Sequence, residues 1–309
     1  EQKLSELHPH LMLVRLMGDV KNLEHLRSTF TKYRPQLVFH AAAFKHVPLM
    51  EEENAWAALQ NNTIGTWHAA TAAAERGADR FVLISPDKAV HPTNVMGATK
   101  RMAEMVALNA GSRLFRPVAV RFGNILGSSG SLVEIMARCI AEGRNIPLTD
   151  PSATRFFMTG GEAVSLVLKA DRIGRRSEVF GLDRGQPLRI GDLADRLIEI
   201  ATPKDVTRVG IDVIGLRPGE KMHEHLTTQG LEMCATRHPR IWSARQAQVP
   251  SQLLATMVRS LRRAVASGDA TSVLTVLQSS GEFIASAEAW AAARQATVAG
   301  KSATLSASA

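Results

Sequence analysis

Two neighbouring stretches decide the fold, residues 80–88 (RFVLISPDK) and residues 94–104 (NVMGATKRMAE). The first is an apolar run of strand length that ends in a polar turn. The second begins a helical pattern in which Met96 and Lys100 are four residues apart, and side chains at that spacing lie on one helical face. We therefore predict a strand, a turn and a helix that carries two candidate site residues.

Three polar side chains lie where this strand ends: Ser85, Asp87 and Lys88. In an open parallel sheet, ligands bind in the crevice beyond the carboxyl ends of the strands. Adjacent opposite charges are usually a solvated turn, but at a strand end they also suit a general acid and a general base. Position and chemistry together indicate a site here.

The rest of the chain alternates strands with helices, which predicts an α/β fold with a parallel, doubly wound sheet. Strands are predicted at residues 11–17, 36–40, 80–86, 116–121 and 209–213, and helices at residues 21–32, 51–76, 96–110, 191–201 and from 250 onward. Ser131 and Thr159 each precede a glutamate by three residues, and this spacing predicts capped helix starts.

Four regions are predicted from these patterns. Residues 1–145 form a partial Rossmann-like NAD(P)-binding domain and residues 146–245 a smaller substrate-binding lobe with elements that return to the sheet. Residues 246–297 form carboxyl-terminal helices, and the Ala/Ser-rich residues 298–309 form a disordered tail.

Composition narrows the class of protein. The 309 residues are 45% hydrophobic, which fits a globular chain, and the net charge of +8 fits an anionic partner. The basic residues are scattered among only four Trp and one Tyr, which argues against nucleic-acid binding. The two cysteines have no metal-binding spacing, so no metal site is expected. No apolar run approaches the ~20 residues of a membrane span, so the chain is expected to be soluble and cytoplasmic.

Seven motifs together resemble the nucleotide-sugar 4,6-dehydratases of polysaccharide biosynthesis, the CapD-like extended short-chain dehydrogenases, many of which act on UDP-N-acetylglucosamine. The motifs occur in order at residues 40–48 (HAAAFKHVP), 62–66 (NTIGT), 85–88 (SPDK), 94–100 (NVMGATK), 121–131 (RFGNILGSSGS), 154–159 (TRFFMT) and 216–221 (LRPGEK). The resemblance covers about residues 11–241. Any one motif would be weak, whereas the ordered set is specific.

The resemblance implies a catalytic set. Asp87 is implied to be the acid that helps the carbon-6 hydroxyl leave, and Lys88 the base at carbon 5. Lys100 is implied to hold the nicotinamide ribose. Met96 occupies the place of the tyrosine found in most short-chain dehydrogenases, and the only tyrosine in the chain, Tyr33, lies in no Tyr-x-x-x-Lys motif.

The resemblance also implies a bound NAD or NADP and a UDP-sugar substrate. The implied cofactor-binding residues are Asp19, Ala41, Ala42, Ala43, Lys45, Asn62 and Lys100, and the implied substrate-binding residues are Lys45, His46, Asn124, Arg155, Arg217, Glu220 and Lys221. Simpler interpretations stand beside these. Asp19 could be only a helix cap, and the three alanines could be small for packing.

The chain departs from the family in two places. Pro86 replaces a threonine that is a candidate for acting on the carbon-4 hydroxyl, which leaves Ser85, Asp87 or a water relay. The glycine-rich turn that receives the cofactor pyrophosphate does not occur among the 309 residues. We interpret the chain as an amino-terminally truncated catalytic domain, and we expect the protein to be a homo-oligomer. Larger members of the family carry a membrane region, so the full-length protein is expected at the inner face of the cell membrane.

Two rival functions stay open at this point. A nucleotide-sugar 4-epimerase would use the same fold and only the ketone step, but it would want the tyrosine that the chain lacks. A catalytically inactive nucleotide-sugar-binding module is the other rival.

Overall fold

A computed structural model describes residues 2–51, 53–175, 177–183, 185–201, 208–217, 219–224, 233–246 and 248–279. The helices are α1 (Gln2–Leu7), α2 (Leu23–Tyr33), α3 (Val47–Met50), α4 (Ala55–Ala58), α5 (Gly65–Glu75), α6 (Val95–Asn109), α7 (Leu132–Ala141), α8 (Gly160–Ile173), α9 (Ile190–Ala201), α10 (Ser251–Ser267) and α11 (Ala270–Ser279). The strands are β1 (Leu37–His40), β2 (Arg80–Pro86), β3 (Arg116–Phe122), β4 (Asn124–Ile125), β5 (Ile146–Leu148), β6 (Thr154–Arg155), β7 (Phe157–Met158), β8 (Glu178–Leu182), β9 (Leu188–Arg189), β10 (Ile211–Val213), β11 (Cys234–Ala235) and β12 (Ile241–Arg245).

The central sheet has six strands in the order β1-β2-β3-β8-β12-β11. The first four strands are parallel, whereas β12 and β11 pair antiparallel. Each step between parallel strands is bridged by helices, as such connections require. The predicted parallel α/β fold is confirmed.

Strand β2 is buried on both faces because helices cover both sides of the sheet. Phe81 and Leu83 pack under α5 and α6, while Val82 packs under α8 on the opposite face. Successive strand side chains alternate between faces, so a continuous apolar run is what a doubly covered strand needs.

The predicted helix 51–76 is present but is not one regular helix. It begins at α4 (Ala55–Ala58), continues as a π-helical segment (Leu59–Ile64) and ends as α5 (Gly65–Glu75). Its glycine stop is confirmed, since Gly77 has φ +78°. Alanine content predicts helix but cannot report the wider π turn, which brings Asn62 toward the loop after β1.

The strand predicted at residues 11–17 is wrong. These residues have no strand structure, and their apolar side chains are exposed, up to 90% at Met12 and 96% at Met17. A strand needs a hydrogen-bonding neighbour, and among the described residues β1 pairs only with β2. An apolar run without such a neighbour does not become a strand.

A separate small core lies between α7, α9, β5 and β10, and includes Met136, Ile146 and Ile198. Both predicted capped starts are confirmed: the Ser131 and Thr159 side chains each accept a hydrogen bond from the glutamate N–H three residues on. Two short strand pairs, β4-β7 and β6-β9, carry Asn124 and Arg155, which belong to the site described below.

The predicted carboxyl-terminal helices begin after Pro250 as α10 and continue as α11. Both pack against α4 and α6, and α10 also packs against the π-helical segment. The tail predicted at residues 298–309 lies outside the described residues. None of the helices that the structure describes is long and apolar enough to cross a bilayer.

We expect Phe81→Ala to lower the free energy of unfolding by about 3–5 kcal/mol, because the side chain is fully buried and its removal leaves a cavity. Phe39→Ala on β1 is the control, since that side chain is 43% exposed and its loss should cost less than about 1 kcal/mol. Urea denaturation measures both. Equal effects would contradict the assignment of this core.

Candidate active site

The end of β2 fixes two charged side chains. After Pro86 the chain makes one 3₁₀ turn, Asp87–Ala89. This turn buries Asp87 to 1% exposure while Lys88 stays half-buried. The parallel register places Pro86 beside Phe122 of β3, so both strands end together. The polar turn therefore stands at the carboxyl edge of the sheet, as the sequence predicts.

Helix α6 presses directly on this turn. Asn94 caps the helix by accepting from the Gly97 N–H at 2.8 Å. A Cβ on Gly97 would lie 2.4 Å from the Lys88 carbonyl oxygen, so only glycine permits this approach. The close packing fixes Met96, at the start of the helix, relative to Lys88.

The loop around Gly219 is fastened over the start of α6. The Gly219 carbonyl accepts hydrogen bonds from Thr93 Oγ1 at 2.8 Å and Asn94 Nδ2 at 3.0 Å. Gly219 has φ +75°, a conformation that favours glycine. Lys221 Nζ donates to the Val90 carbonyl at 2.7 Å. These bonds join the predicted substrate loop to the predicted catalytic turn.

A cavity of about 780 Å³ opens between these segments, which is within the size range of small-ligand sites. The sequence-predicted residues that line it are Lys45, His46, Lys88, Met96, Asn124, Arg155, Arg217, Glu220 and Lys221. The structure thus brings together all seven predicted substrate-binding residues and two of the predicted catalytic ones. Asp87, Ser85 and Lys100 are not among the described residues that line it.

The Lys88 amine lies among three oxygen-bearing side chains. Its Nζ is 3.4 Å from Glu224 Oε1, 3.6 Å from Asp87 Oδ1 and 3.5 Å from Asn124 Oδ1. Burial lowers the pKa of Lys88, but the carboxylates of Asp87 and Glu224 outweigh burial and the pKa is raised overall. The amine is therefore an ammonium group at neutral pH.

Glu224 is the second buried carboxylate of the site. Burial raises its pKa, but the nearby charges of Lys88, Arg155 and Lys221 outweigh that effect and lower it. Arg155 Nε lies 3.8 Å from Glu224 Oε1, and Arg155 Nη2 donates to Glu220 Oε1 at 3.2 Å. The cavity wall is thus a compact group of opposite charges in which Glu224 stays ionised.

The structure does not bring the Ser85 hydroxyl to the cavity, contrary to the sequence expectation. Ser85 is 1% exposed, and its Oγ donates to Glu104 Oε1 at 2.7 Å. Arg121, which is beside Ser85 in the β2–β3 register, donates to the same carboxylate at 2.8 and 2.6 Å. Strand alternation directs Ser85 to the α6 side of the sheet, where Glu104 holds it.

Lys100 is buried beneath the site. Its Nζ donates to the Ile84 carbonyl at 2.8 Å. Burial lowers its pKa to about 8, although Glu104 acts in the opposite direction. His40 also lies near this amine: burial, and then the charge of Lys100, lower the pKa of His40 to about 3. Lys100 therefore contributes charge from below the site.

The loop after β1 fits the approach of a nucleotide cofactor. Ala41 is exposed and Ala42 and Ala43 are half-buried, so no side chain beyond Cβ covers the backbone there. Asn62 fixes this loop by accepting from the Phe44 N–H at 2.7 Å and donating to its carbonyl at 3.1 Å. The predicted residue Asn62 therefore orients the loop.

The remaining predicted cofactor residues are at the surface. Lys45 is exposed, with Nζ 3.5 Å from Ser128 Oγ. Asp19 precedes α2, forms an ion pair with Lys21 at 3.0 Å and accepts from its N–H. The helix cap itself is Asn22. The alternative of Asp19 as a helix cap is therefore wrong.

Sequence reasoning missed Glu104 and Glu224. Glu104 is four residues after Lys100 on α6, and that spacing already places both on one helical face. Glu224 follows the predicted loop motif by three residues, but its approach to Lys88 depends on the tertiary fold. The available signal was that Glu224 lies within three residues, in sequence, of a predicted loop of cations, where a carboxylate can pair with them.

A mostly parallel sheet with a cavity at the carboxyl ends of its strands defines a Rossmann-like α/β fold. Solved structures agree. The X-ray structure of Pen from Bacillus thuringiensis is 29% identical, covers 84% of this chain and 86% of its own, and gives a TM-score of 0.70. The chain belongs to the polysaccharide biosynthesis protein family, whose profile matches residues 1–246. The predicted family is confirmed.

The curated relatives include both nucleotide-sugar 4,6-dehydratases and nucleotide-sugar 4-epimerases. The probable polysaccharide biosynthesis protein EpsC of Bacillus subtilis (strain 168) is 47% identical over 70% of this chain, which spans only 36% of EpsC. A UDP-N-acetylglucosamine 4,6-dehydratase (inverting) of Campylobacter jejuni and a UDP-glucose 4-epimerase of Rickettsia typhi are each 34% identical, over 67% and 71% of this chain and 60% and 63% of their own lengths. Similarity alone does not choose between these activities.

Replacing Glu104 by Gln should lower the free energy of unfolding by about 3–5 kcal/mol at neutral pH, because it leaves buried guanidinium charge uncompensated. Burial raises the pKa of Glu104, but Arg121 and then Arg101 outweigh it and the pKa is lowered. The stabilising effect is therefore present above the unfolded pKa and is lost as pH falls through the folded one.

Denaturation at several pH values measures this difference, which should shrink on acidification. Glu199→Gln, in an exposed pair with Arg196, is the control and should leave stability unchanged. A difference that does not vary with pH would contradict the ionised, buried Glu104.

Proposed function

We propose that this chain is the catalytic part of a nucleotide-sugar 4,6-dehydratase that acts on a UDP-N-acetylhexosamine such as UDP-N-acetylglucosamine. The observation that carries the proposal is the arrangement at the end of β2. Lys88 and Met96 line the cavity, Met96 at the place where related enzymes have a tyrosine, and Asp87 lies buried next to Lys88 in the same 3₁₀ turn. An acid and a base at one point serve an elimination, which needs one proton removed and another delivered.

NAD or NADP would be held by the backbone at Ala41–Ala43, with Asn62 fixing the loop, and would supply the hydride acceptor for ketone formation at carbon 4 and, after water has left, the hydride donor to carbon 6, so that the net reaction is the loss of water alone. Lys100, buried behind β2, adds positive charge to this side of the site. The choice between the two cofactors stays open.

In the proposed elimination, Lys88 removes the proton from carbon 5, and the electrons of that C–H bond form the carbon 5–carbon 6 double bond. The carbon 6–oxygen bond breaks, and Asp87 donates a proton to the departing hydroxyl, which leaves as water. Lys88 must be neutral and Asp87 protonated for this step. Proton transfer onto Asp87 assists Lys88, because it removes one of the two carboxylates that hold the ammonium form.

The carbon-4 hydroxyl must also lose a proton when the ketone forms. Of the acceptors that the sequence leaves open, Ser85 is disfavoured because its hydroxyl donates to Glu104 below the sheet edge. Asp87 or a water relay remains. Asp87 as acceptor would explain how it gains the proton that it later gives to the carbon-6 hydroxyl.

The cations of the cavity suit a nucleoside diphosphate. Arg217, Lys221 and Arg155 line one wall, and guanidinium groups bind phosphate oxygens through charge-assisted hydrogen bonds. We propose that these residues hold the diphosphate while Lys45, His46, Asn124 and Glu220 contact the sugar or nucleotide, so that residues 146–245 supply most of the substrate side.

A 4-epimerase is the alternative that the similarity to the UDP-glucose 4-epimerase of Rickettsia typhi favours. That reaction needs no acid and base for elimination, so the pair at Asp87 and Lys88 argues against it. An inactive nucleotide-sugar-binding module is the third candidate. Incubation of the protein that contains this chain with UDP-N-acetylglucosamine distinguishes them by mass: loss of water, isomerisation without mass change, or no reaction.

Asp87→Asn and Lys88→Met should each lower dehydration by about two to four orders of magnitude, the range for loss of a general acid or base. Substrate affinity should change much less. Asp192→Asn and Lys169→Met make the same chemical changes at exposed helical positions and serve as controls. Near-normal turnover in the Asp87 or the Lys88 variant would contradict the assigned roles.

Arg217→Ala should weaken UDP binding by about 1.5–3 kcal/mol, the strength of charge-assisted hydrogen bonds. Isothermal titration with UDP measures the change without requiring turnover. Arg189→Ala is the matched control, because Arg189 is an exposed arginine outside the described cavity lining. Equal affinities in the two variants would place the diphosphate elsewhere.

A further inference from the structure

Glu224 lies in the cavity wall and takes no part in the proton transfers proposed above. Its side chain is 3% exposed, and its Oε1 lies 3.4 Å from Lys88 Nζ. Its other oxygen, Oε2, is buried without a hydrogen-bond partner among the described residues. Burial of a carboxylate in this way is unfavourable unless its charge is compensated nearby.

The segment before Glu224 is fixed by its neighbour β6. The Met222 carbonyl accepts from the Thr154 N–H at 2.9 Å and from Arg155 Nη1 at 3.1 Å. The next residue, His223, shares a 2.8 Å hydrogen bond between its Nδ1 and Thr154 Oγ1. The backbone thus directs Glu224 toward Lys88, and the contact does not arise from a freely moving surface side chain.

The charges around the Lys88 amine come from three parts of the chain. Asp87 is its neighbour in the 3₁₀ turn, and Glu224 faces it from the fixed segment. Arg155 of β6 is a like charge, which disfavours the ammonium form of Lys88. Lys221 interacts with both carboxylates, but its own amine donates to the Val90 carbonyl. Glu224 is therefore the carboxylate that holds Lys88 from across the cavity wall.

We infer that Glu224 is a positioning residue for Lys88: it holds the Lys88 amine at the catalytic turn and sets the pH at which that amine loses its proton. The catalytic meaning of this inference rests on the proposed function, whereas the charge coupling does not. If Lys88 acts as the base, dehydration rises with pH as Lys88 loses its proton. Removing the Glu224 charge should then move that rise to lower pH.

Competitive acetylation tests the coupling on this chain without requiring turnover. Trace acetic anhydride labels neutral amines, and quantifying the Lys88 peptide by mass spectrometry across pH gives its titration midpoint relative to exposed Lys32. In Glu224→Gln we expect the midpoint to fall by about one unit or more, the shift that an opposite charge at this distance produces.

Two further variants make the result specific. Glu220→Gln removes another cavity carboxylate, which accepts hydrogen bonds from Arg155, Thr149 and the Arg217 N–H, and should leave the Lys88 midpoint in place. Glu224→Asp keeps the charge on a shorter side chain and should give a midpoint between those of the wild type and Glu224→Gln. It also tests the coupling if Glu224→Gln does not fold, as judged by circular dichroism.

Identical Lys88 midpoints in the wild type and the folded Glu224 variants would overturn the inference, even if the protein dehydrates a nucleotide sugar. A shifted midpoint in a protein that never releases water would instead uphold the coupling and reject the proposed function. In an active protein, Glu224→Gln should also move the Lys88-dependent limb of the pH–rate profile to lower pH by the same amount.

Discussion

The structure depends most on one buried carboxylate, that of Glu104, which is fully enclosed at the junction of α6 with the sheet. An isolated charge there would be very costly, so it persists only because several donors surround it. Arg121 binds it from β3, Arg101 from its own helix and Ser85 from β2. Arg101 also donates to Gln246, beyond β12. One charge therefore joins α6 to β2, to β3 and, through Arg101, to the residue that follows β12.

The two lysines near the end of β2 meet burial in opposite ways. Lys100 donates its hydrogen bond to a backbone carbonyl, that of Ile84, so burial prevails and its pKa falls to about 8. Lys88 is half-buried between the carboxylates of Asp87 and Glu224, which outweigh burial and raise its pKa. Neighbouring carboxylates, more than depth, thus decide the charge of each amine. The residue assigned the role of base is held as an acid at rest, so its proton must move before it can act.

Local sequence patterns predicted the elements that are determined by residues close to one another in the chain. The apolar run of β2, the Ser131 and Thr159 caps and the glycine stop at Gly77 depend on neighbours within a few residues, and the structure contains them. Features that require a distant partner could not be obtained this way. The run at residues 11–17 looks like a strand but has no described neighbour to pair with. The direction of Ser85 depends on Glu104, and the approach of Glu224 to Lys88 depends on β6.

The cations of the cavity already have internal partners, and this shapes what the cavity can bind. Arg155 donates to Glu220 and to two carbonyls, and Lys221 donates to Val90. These contacts hold the cations in place, which reduces the entropy lost when a ligand is ordered against them. They also mean that a ligand must compete with a carboxylate for Arg155. A diphosphate carries enough charge to do so, whereas a neutral sugar does not. In the proposed function, the internal ion pairs therefore favour the nucleotide part of the substrate for affinity, and the sugar is left to contact Lys88.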